Sequence, residues 1–385
     1  MKQAILIYGA TAMGTPEFSA DLLWRTGGYS VPDPVIFCEI DGKKTLLLSS
    51  LEIERGEREA KVDEVVSIEK YVEEAKRSSL PISVLFLKER GIEEVIVPGI
   101  IRFSLGKVLS DHFTVTIKSP PFYPERANKT DKEIGQIEGA QRAVEKAVDE
   151  GIRFLKECIV NNDLLFHSEF PDAPITSHHV RKIIDDALYL RGYLGVESIV
   201  ACGREATDPH CKGYGNIKPK EPIVLDIFPR SLDSLYFADQ TRTVFKGEPS
   251  DKLKRMYNTV LEAQEMAICE VKSGAQGKDI DQKVRDFFDK SGYPTNIAKR
   301  PVSGFIHSLG HGVGIEIHEE PSLSQRDSVL ETGNIVTVEP GLYYPEETST
   351  IPMGGIRIED MILVTENGNR NLTQFPKSLD EMIIV

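Results

Sequence analysis

The chain has 385 residues, 40% of them hydrophobic and 28% charged, with 46 Lys+Arg against 60 Asp+Glu for a net charge of −14. That length predicts two domains. The acidic balance excludes a nucleic-acid binder, which needs a basic footprint, and argues equally against adsorption to anionic membranes.

The opening "MKQAILIYGATAMG" is too short an apolar run for a signal peptide and lacks a cleavage site, so it reads as a buried strand. No run of 18 apolar residues occurs anywhere, so no membrane-spanning helix is predicted. In "TPEFSADLLWRTG", Thr15 reads as a helix N-cap, Pro16 as the first helical residue and Gly27 as the stop. "PVIFCEIDGKKTLLLSS" reads as two strands around Asp41-Gly42, a hairpin signal. "SVLFLKERG", "EEVIVPG", "SLGKVLSD" and "FTVTIKS" then alternate helix and strand, which makes an α/β domain. "GATAMGT" spaces Gly9 and Gly14 like a phosphate loop. Thr15 stands at its lysine position, however, and the charge contact to a phosphate is missing, so no nucleotide site is predicted.

"SPPFYPERANKT" carries three prolines and reads as a linker. Thr130 and Glu133 of "TDKE" form a capping box opening a long helix with Ile137, Ala140, Val144, Val148, Ile152, Leu155 and Cys158 on one stripe. Further helices follow Ser177, Ser250 and the start of "DIDQKVRDFFDKSGY". Between and after them lie the strand-like "SIVACG", "PIVLDIF", "LYFADQTRTVF", "GFIHSLG", "NIVTVEPGLYY" and "GGIRIEDMILVTENG". This second part is helices on a mainly antiparallel sheet, an α+β plan. Cys38, Cys158, Cys202, Cys211 and Cys269 are widely spread with no CxxC, which reads as reduced thiols in a cytoplasmic protein.

Three of the eight histidines fall within "HSLGHGVGIEIHEEP", at 307, 311 and 318. They do not form the zinc helix HExxH, because Gly310, Gly312 and Gly314 would each cost a helix about 1 kcal/mol relative to Ala. The stretch must be strand and loop, with any partner ligands elsewhere. Candidates are the acids inside apolar strand runs: Asp226 in "IVLDIF", Asp239 in "YFADQTRT", Glu339 in "IVTVEPG" and Glu359 in "GIRIEDMI". Each taken alone would pair with a basic residue such as Arg242 or Arg357, since a lone buried carboxylate is costly. Four together are buried most economically around two divalent cations.

The ordered set Asp226, Asp239, His311, Glu339, Glu359 resembles the ligand set of the pita-bread metallopeptidases, which include methionine aminopeptidase, Xaa-Pro aminopeptidase and prolidase. "DQTRTVFKG", "HSLGHGVGIEIHE", "NIVTVEPGLYYP" and "GGIRIEDMILVTENG" carry the likeness, over residues 130–385. Residues 1–122 resemble, more loosely, the N-terminal domain of creatinase, Xaa-Pro aminopeptidases and prolidases. The implied fold is an α/β N-terminal domain followed by an α+β pita-bread domain with a mainly antiparallel curved sheet.

By position, the resemblance implies that Asp226 binds one divalent ion, His311 and Glu339 bind a second, and Asp239 and Glu359 bridge them. Such a hard, oxygen-rich set suits Mn²⁺ or Co²⁺, with Zn²⁺ or Fe²⁺ also compatible. An activated water would attack the scissile carbonyl, with Glu339 passing the proton to the leaving nitrogen. His318 would hydrogen-bond substrate and oxyanion, and His210 would face the substrate. His307, Arg357 and Tyr343 would belong to the substrate pocket. His112, His167, His178 and His179 read as surface or capping residues.

One departure stands out. The family shows Asp-x-Gly at the first ligand and ten residues between its aspartates, whereas here "DIFPRS" stands there and twelve intervene. Two extra residues preserve the alternation of side chains, so both aspartates are predicted to point inward. The leading expectation is an aminopeptidase acting on peptides that begin Xaa-Pro, with a peptide as partner and a homodimer implied. Prolidase is the alternative, and a non-catalytic peptide-binding relative is disfavoured because all five ligands are present. Where some prolidases carry an arginine shortly after the His-Glu pair, this chain has Ser322.

Overall fold

The computed structural model describes residues 2–385. It divides into two compact units, Met1–Arg126 and Ala127–Val385.

The first unit is built on six strands, β1 (Gln3–Gly9), β2 (Val35–Ile40), β3 (Lys43–Leu48), β4 (Glu64–Ser67), β5 (Glu94–Pro98) and β6 (Thr114–Lys118). Their order in the sheet is β4-β3-β2-β1-β5-β6. Only β2 runs against the other five. The β2–β3 hairpin turns at Asp41 and Gly42, both with positive φ (52° and 78°), the two-residue turn that matches strand twist. Alternation sends Leu6 and Cys38 to one apolar layer and Ile7 and Phe37 to the other. Five helices cover the faces: α1 (Ala20–Arg25), α2 (Ile53–Glu59), α3 (Glu69–Ser78), α4 (Ile82–Glu89) and α5 (Phe103–Ser110). Two readings need correction. The first helix begins at Ser19, whose hydroxyl accepts from the Leu22 amide, because the Thr15 hydroxyl is spent on the Ala12 carbonyl. Phe122 and Tyr123, read as linker, are buried in the core of this unit.

In the second unit the capping box forms at Thr130 and Glu133, opening α6 (Asp131–Glu157). Its stripe of Ile137, Ala140, Val144, Val148 and Leu155 is fully buried. It packs on α7 (Ser177–Tyr189), and a Cβ on Gly151 would come within 2.7 Å of Ile184. A short hairpin, β7 (Ile159–Asn161) and β8 (Leu164–Phe166), joins the two helices. Next come β9 (Tyr193–Leu194), β10 (Ile199–Cys202), β11 (Ile223–Ile227), β12 (Arg230–Ser231) and β13 (Gln240–Lys246). A second helical pair, α8 (Asp251–Glu270) and α9 (Gly277–Lys290), precedes β14 (Gly310–Gly312), β15 (Glu319–Leu323), β16 (Ile335–Val338), β17 (Gly341–Tyr344), β18 (Gly354–Arg357), β19 (Asp360–Thr365) and β20 (Gly368–Asn371). The chain ends in α10 (Leu379–Met382) and β21 (Ile383–Ile384).

Two sheets organise these strands, one ordered β10-β11-β13-β21 and one β15-β14-β16-β19-β20, with β17-β18 and β9-β12 as separate pairs. All pairings in this unit are antiparallel except β13 with β21. Three long strand runs read from the sequence are broken. "NIVTVEPGLYY" splits into β16 and β17 at Glu339-Pro340, where proline has no amide to continue a ladder. "GGIRIEDMILVTENG" splits into β18 and β19 at Ile358-Glu359. "GFIHSLG" is irregular up to Gly310. The first two breaks fall at the acids, and that positions the site.

Candidate metal centre

Register explains how the acids converge. Asp226 on β11 pairs with Thr241 on β13. Asp239 lies two residues before Thr241, so Asp226, Thr241 and Asp239 share a face despite the lengthened hairpin. In the other sheet Val338 pairs with Asp360, so one further step sets Glu339 opposite Glu359. His311 arrives on β14, whose flanking glycines allow close approach: a Cβ on Gly310 would lie 2.0 Å from the Thr337 carbonyl oxygen, and one on Gly312 2.6 Å from that of Glu319.

The resulting cluster is tight. Asp239, His311 and Glu359 each present a ligand atom, and these atoms lie within 4.8 Å of one another. His311 Nε2 is 3.3 Å from a Glu339 oxygen and 3.7 Å from one of Asp239. The His311 Nδ1 sits 3.2 Å from the Gly312 carbonyl, which can only accept. Nδ1 therefore donates to that carbonyl, which leaves Nε2 directed at the acids: as an N–H it donates to Glu339 while the ring is protonated, and in the neutral ring it offers a lone pair. The His311 amide donates to the Thr337 hydroxyl at 3.0 Å.

The electrostatics call for a cation. Asp239 is 4% exposed and Glu359 2%. Both carboxyl groups are pushed well above the ordinary range, by burial first and by the neighbouring carboxylates second. Burial also opposes charge on Glu339, but its hydrogen bond with His311 and the nearby charges of His311, His307 and Arg357 together outweigh this and lower it, while the contact with Glu339 raises His311 against its own burial. The Oδ1 of Asp239 is buried with no hydrogen-bond partner among the described residues, a costly state for a carboxylate. One guanidinium, Arg357, bonds directly to an acid of the set, donating to Asp226 Oδ2 at 2.6 Å. Four clustered carboxylates, one guanidinium, one imidazole with its Nε2 turned inward and an orphaned oxygen fit a divalent-cation site of oxygen-rich character.

Behind Asp226 runs a chain whose proton positions are fixed. His307 Nδ1 lies 2.7 Å from the Ser308 carbonyl and so donates to it, leaving Nε2 to accept. Arg357 can only donate, and it donates to the Tyr343 oxygen at 2.6 Å. The Tyr343 O–H therefore points to His307 Nε2, 2.9 Å away. Burial pushes the Tyr343 phenol up to about 12 and lowers His307. Arg357 and Tyr343 are fully buried, so the structure places both behind a ligand rather than on an open surface, while His307 is half-buried.

His318 is exposed, with its ring edge-on to that of His311 at 4.3 Å between centroids. Burial of its ring nitrogens, His311 and His210 all lower its pKa, so His210, itself exposed, lies within electrostatic reach. Of the other histidines, His179 caps α7 by accepting the Thr176 amide at 3.0 Å. His167, expected at the surface, is buried against Phe154.

Several residues escaped the sequence reading. Thr241 donates to Glu359 Oε2 at 2.7 Å. Thr337 aligns His311. Arg242 makes a buried pair with Asp360 at 2.8 Å, not with any of the four acids. "DQTRT" and "IED" carried a signal for the last pair, since an arginine and an aspartate both inside apolar runs need each other when buried.

The sequence pattern of metallopeptidase family M24 matches residues 135–366. The chain is 34% identical over 261 residues to a Xaa-Pro dipeptidase of Pyrococcus furiosus, covering 66% of this chain and 65% of that one. Its match thus spans just under two thirds of the length of the first curated relatives. Among solved structures, a Xaa-Pro dipeptidase from Bacillus anthracis superposes with a TM-score of 0.80 at 26% identity, over 100% of this chain and 95% of that one. An X-Pro aminopeptidase from Thermotoga maritima does so with 0.76 at 26% identity, over 98% and 97%.

Proposed function

The chain belongs to metallopeptidase family M24 and has the pita-bread fold; on that premise we propose that it removes the first residue from peptides beginning Xaa-Pro, including those longer than two residues. Water is added across the Xaa–Pro bond, releasing Xaa and a peptide that begins with proline. Asp226, Asp239, His311, Glu339 and Glu359 would hold two divalent ions, Mn²⁺ or Co²⁺ by the hardness of the donors. When bound, such ions supply Lewis acidity toward the scissile carbonyl and toward water.

The side chains would divide the remaining work. The Glu339 carboxylate takes the proton of the attacking water and delivers it to the leaving proline nitrogen. His318, exposed beside His311, donates to the oxygen on which negative charge develops, and His210 contacts substrate from the neighbouring loop. Arg357, Tyr343 and His307 hold Asp226 in place.

The observation that carries the length preference is Ser322. Its amide donates to the Ser328 hydroxyl at 3.1 Å and its own hydroxyl meets that of Ser324 at 2.9 Å. The side chain at that position is uncharged and supplies no clamp for a free carboxylate directly after proline. The likeness to Xaa-Pro dipeptidases favours a second reading, restriction to dipeptides. A panel of Xaa-Pro, Xaa-Pro-Yaa and Xaa-Ala-Yaa peptides under saturating Mn²⁺ or Co²⁺ separates the two. Cleavage of both proline substrates, with the alanine peptide poor, is expected. Cleavage of the dipeptide alone makes it a prolidase, and equal cleavage of Xaa-Ala-Yaa removes the proline specificity. A homodimer in the cytoplasm goes with this reading; no helix among the described residues is long and apolar enough to cross a membrane.

A further inference from the structure

The first unit contains a cavity of about 550 Å³, within the range of small-molecule sites. Its place in the fold is informative. Tyr8 and Leu47 are the last residues but one of β1 and β3, Ile68 follows β4 and Arg102 lies in the loop after β5, and all four line it. It therefore opens at the carboxyl edge of the parallel strands. The strand order β4-β3-β2-β1-β5-β6 reverses direction between β1 and β5, and in open α/β sheets a crevice at that edge and that reversal is where ligands bind.

Polar groups inside the cavity favour one charge. Ser83 in the first turn of α4 and Ser104 in the first turn of α5 both line it. The N-cap residues of these eight-residue helices, Pro81 and Arg102, make no side-chain cap hydrogen bond, so the first-turn amides at this edge have no side-chain acceptor, though that of Val84 bonds the Pro81 carbonyl at 3.0 Å. Ser83 is 2% exposed, and its hydroxyl has no hydrogen-bond partner among the described residues. The Arg102 guanidinium lies 5.2 Å from the centre of the Tyr8 ring. It pairs with Glu17, which engages one of its five N–H donors. The Glu52 carboxylate on the wall is already engaged by Tyr29, at 2.8 Å, and Arg55. Helix N-termini attract anions, while Leu47, Ile68 and Leu105 offer an apolar wall.

We propose that this cavity is a binding site for a small carboxylate with a branched or aromatic hydrocarbon body, its carboxylate held by Ser83, the α4 and α5 amides and Arg102. A free apolar amino acid and a short branched carboxylic acid share that chemistry. The exposed Asp33 at the mouth adds an acceptor for the ammonium of the former.

Calorimetric titration of the full-length chain, stripped of metal by chelation so that the metal centre contributes no carboxylate affinity, tests the site. The probes are 4-methylpentanoate, L-leucine and 4-methylpentan-1-ol. Saturable binding of either carboxylate is expected, with the alcohol at least about tenfold weaker and Ser83→Ala about tenfold weaker for the acid. The tighter of the two carboxylates identifies the source. Leu105→Trp, which fills the cavity, should abolish binding, and the mild Ser83→Ala change keeps the test valid if that variant misfolds. Equal binding of the alcohol, unchanged affinity in Ser83→Ala, or no saturable binding of either carboxylate overturns the proposal.

Discussion

The two units treat buried negative charge in opposite ways. In the first, carboxylates near the core are matched by arginines: Glu39 by Arg25 at 2.7 Å, Glu52 by Arg55 at 2.5 Å, Glu64 by Arg90 at 2.9 Å. In the second, four carboxylates are gathered with one arginine among them, and one buried oxygen has no partner. Adjacent residues make the contrast sharpest. Asp360 is satisfied by Arg242 and Lys377, both at 2.8 Å, and by Asn371, whereas the Glu359 carboxylate next to it receives, among the described residues, only the Thr241 hydroxyl. Local concentration of unpaired acid, not acid content, marks a site.

The largest expected effect comes from removing a ligand. His311→Ala is expected to lose bound metal and turnover together, read by elemental analysis and by hydrolysis of a Xaa-Pro peptide. His318→Ala, 4.3 Å away by ring centroid, is expected to keep its metal and lose turnover by ~10²-fold, the usual cost of one donor to a developing oxyanion. If His318→Ala strips the metal and His311→Ala does not, the roles are exchanged.

Much of this was legible because strand alternation is a strict code. Asp226 and Asp239 could be set on one face by counting residues, and two inserted residues left the count even. The capping box at Thr130 and the α6 stripe were readable for the same reason: local periodicity decides them. What could be read only in part was where strands stop. Pro340 after Glu339 is a legible stop, but the apolar run continues straight through Glu359, and the ladder breaks there all the same. Pairings across more than a hundred residues, such as Arg242 with Asp360 or Thr241 with Glu359, are tertiary. Residues 51–79 form α2, β4 and α3, and part of this was open to reading, since Ile68, Tyr71, Val72 and Ala75 fall at helical spacing.

Next in size is the matched acid of the second unit. Arg242→Met leaves Asp360 buried without its guanidinium and also removes donors to the carbonyls of Glu359, Phe375 and Pro376. Breaking such a pair on one side costs about 3–5 kcal/mol, measurable by denaturant unfolding of the metal-loaded protein. A loss below about 1 kcal/mol would place this pair with surface ion pairs. The sign with pH is fixed too. Burial raises the Asp360 carboxyl, but Arg242 and Lys377 outweigh it and lower it, so its stabilisation is present above the unfolded value of about 4 and lost as pH falls through the folded one.

The unmatched acids carry the opposite sign. Asp239 and Glu359 are raised, so between the unfolded value and the folded one the native chain binds more protons than the unfolded chain. Stability of metal-free protein therefore falls as pH rises across that window. Metal binding requires the ionised form and weakens on acidification. The gain in melting temperature on adding Mn²⁺ is thus expected to be largest at neutral pH and to shrink as the solution is acidified. A gain that grows on acidification would mean that these carboxylates do not hold the cation.

The smallest effect belongs to the first unit and tests whether its charges are as ordinary as they look. Arg25 binds Glu39 through two nitrogens, at 3.0 and 2.7 Å, and its guanidinium also lies 5.2 Å from the centre of the Tyr123 ring. Burial lowers the Arg25 pKa, and Glu39 and Tyr123 together more than restore it. Both partners keep contact with water, at 21% and 13% side-chain exposure, so solvent screens the pair and a carboxylate left alone can rehydrate. Arg25→Met is accordingly expected to cost about 1 kcal/mol, several times less than Arg242→Met, and Glu39→Gln in the Arg25→Met background should add little. Metal content and turnover should be unchanged in both. A loss as large as that of Arg242→Met would show that local geometry can make a half-exposed pair as costly to break as a buried one, and the contrast between the two units would then rest on the clustered acids of the second, Asp239 and Glu359 above all.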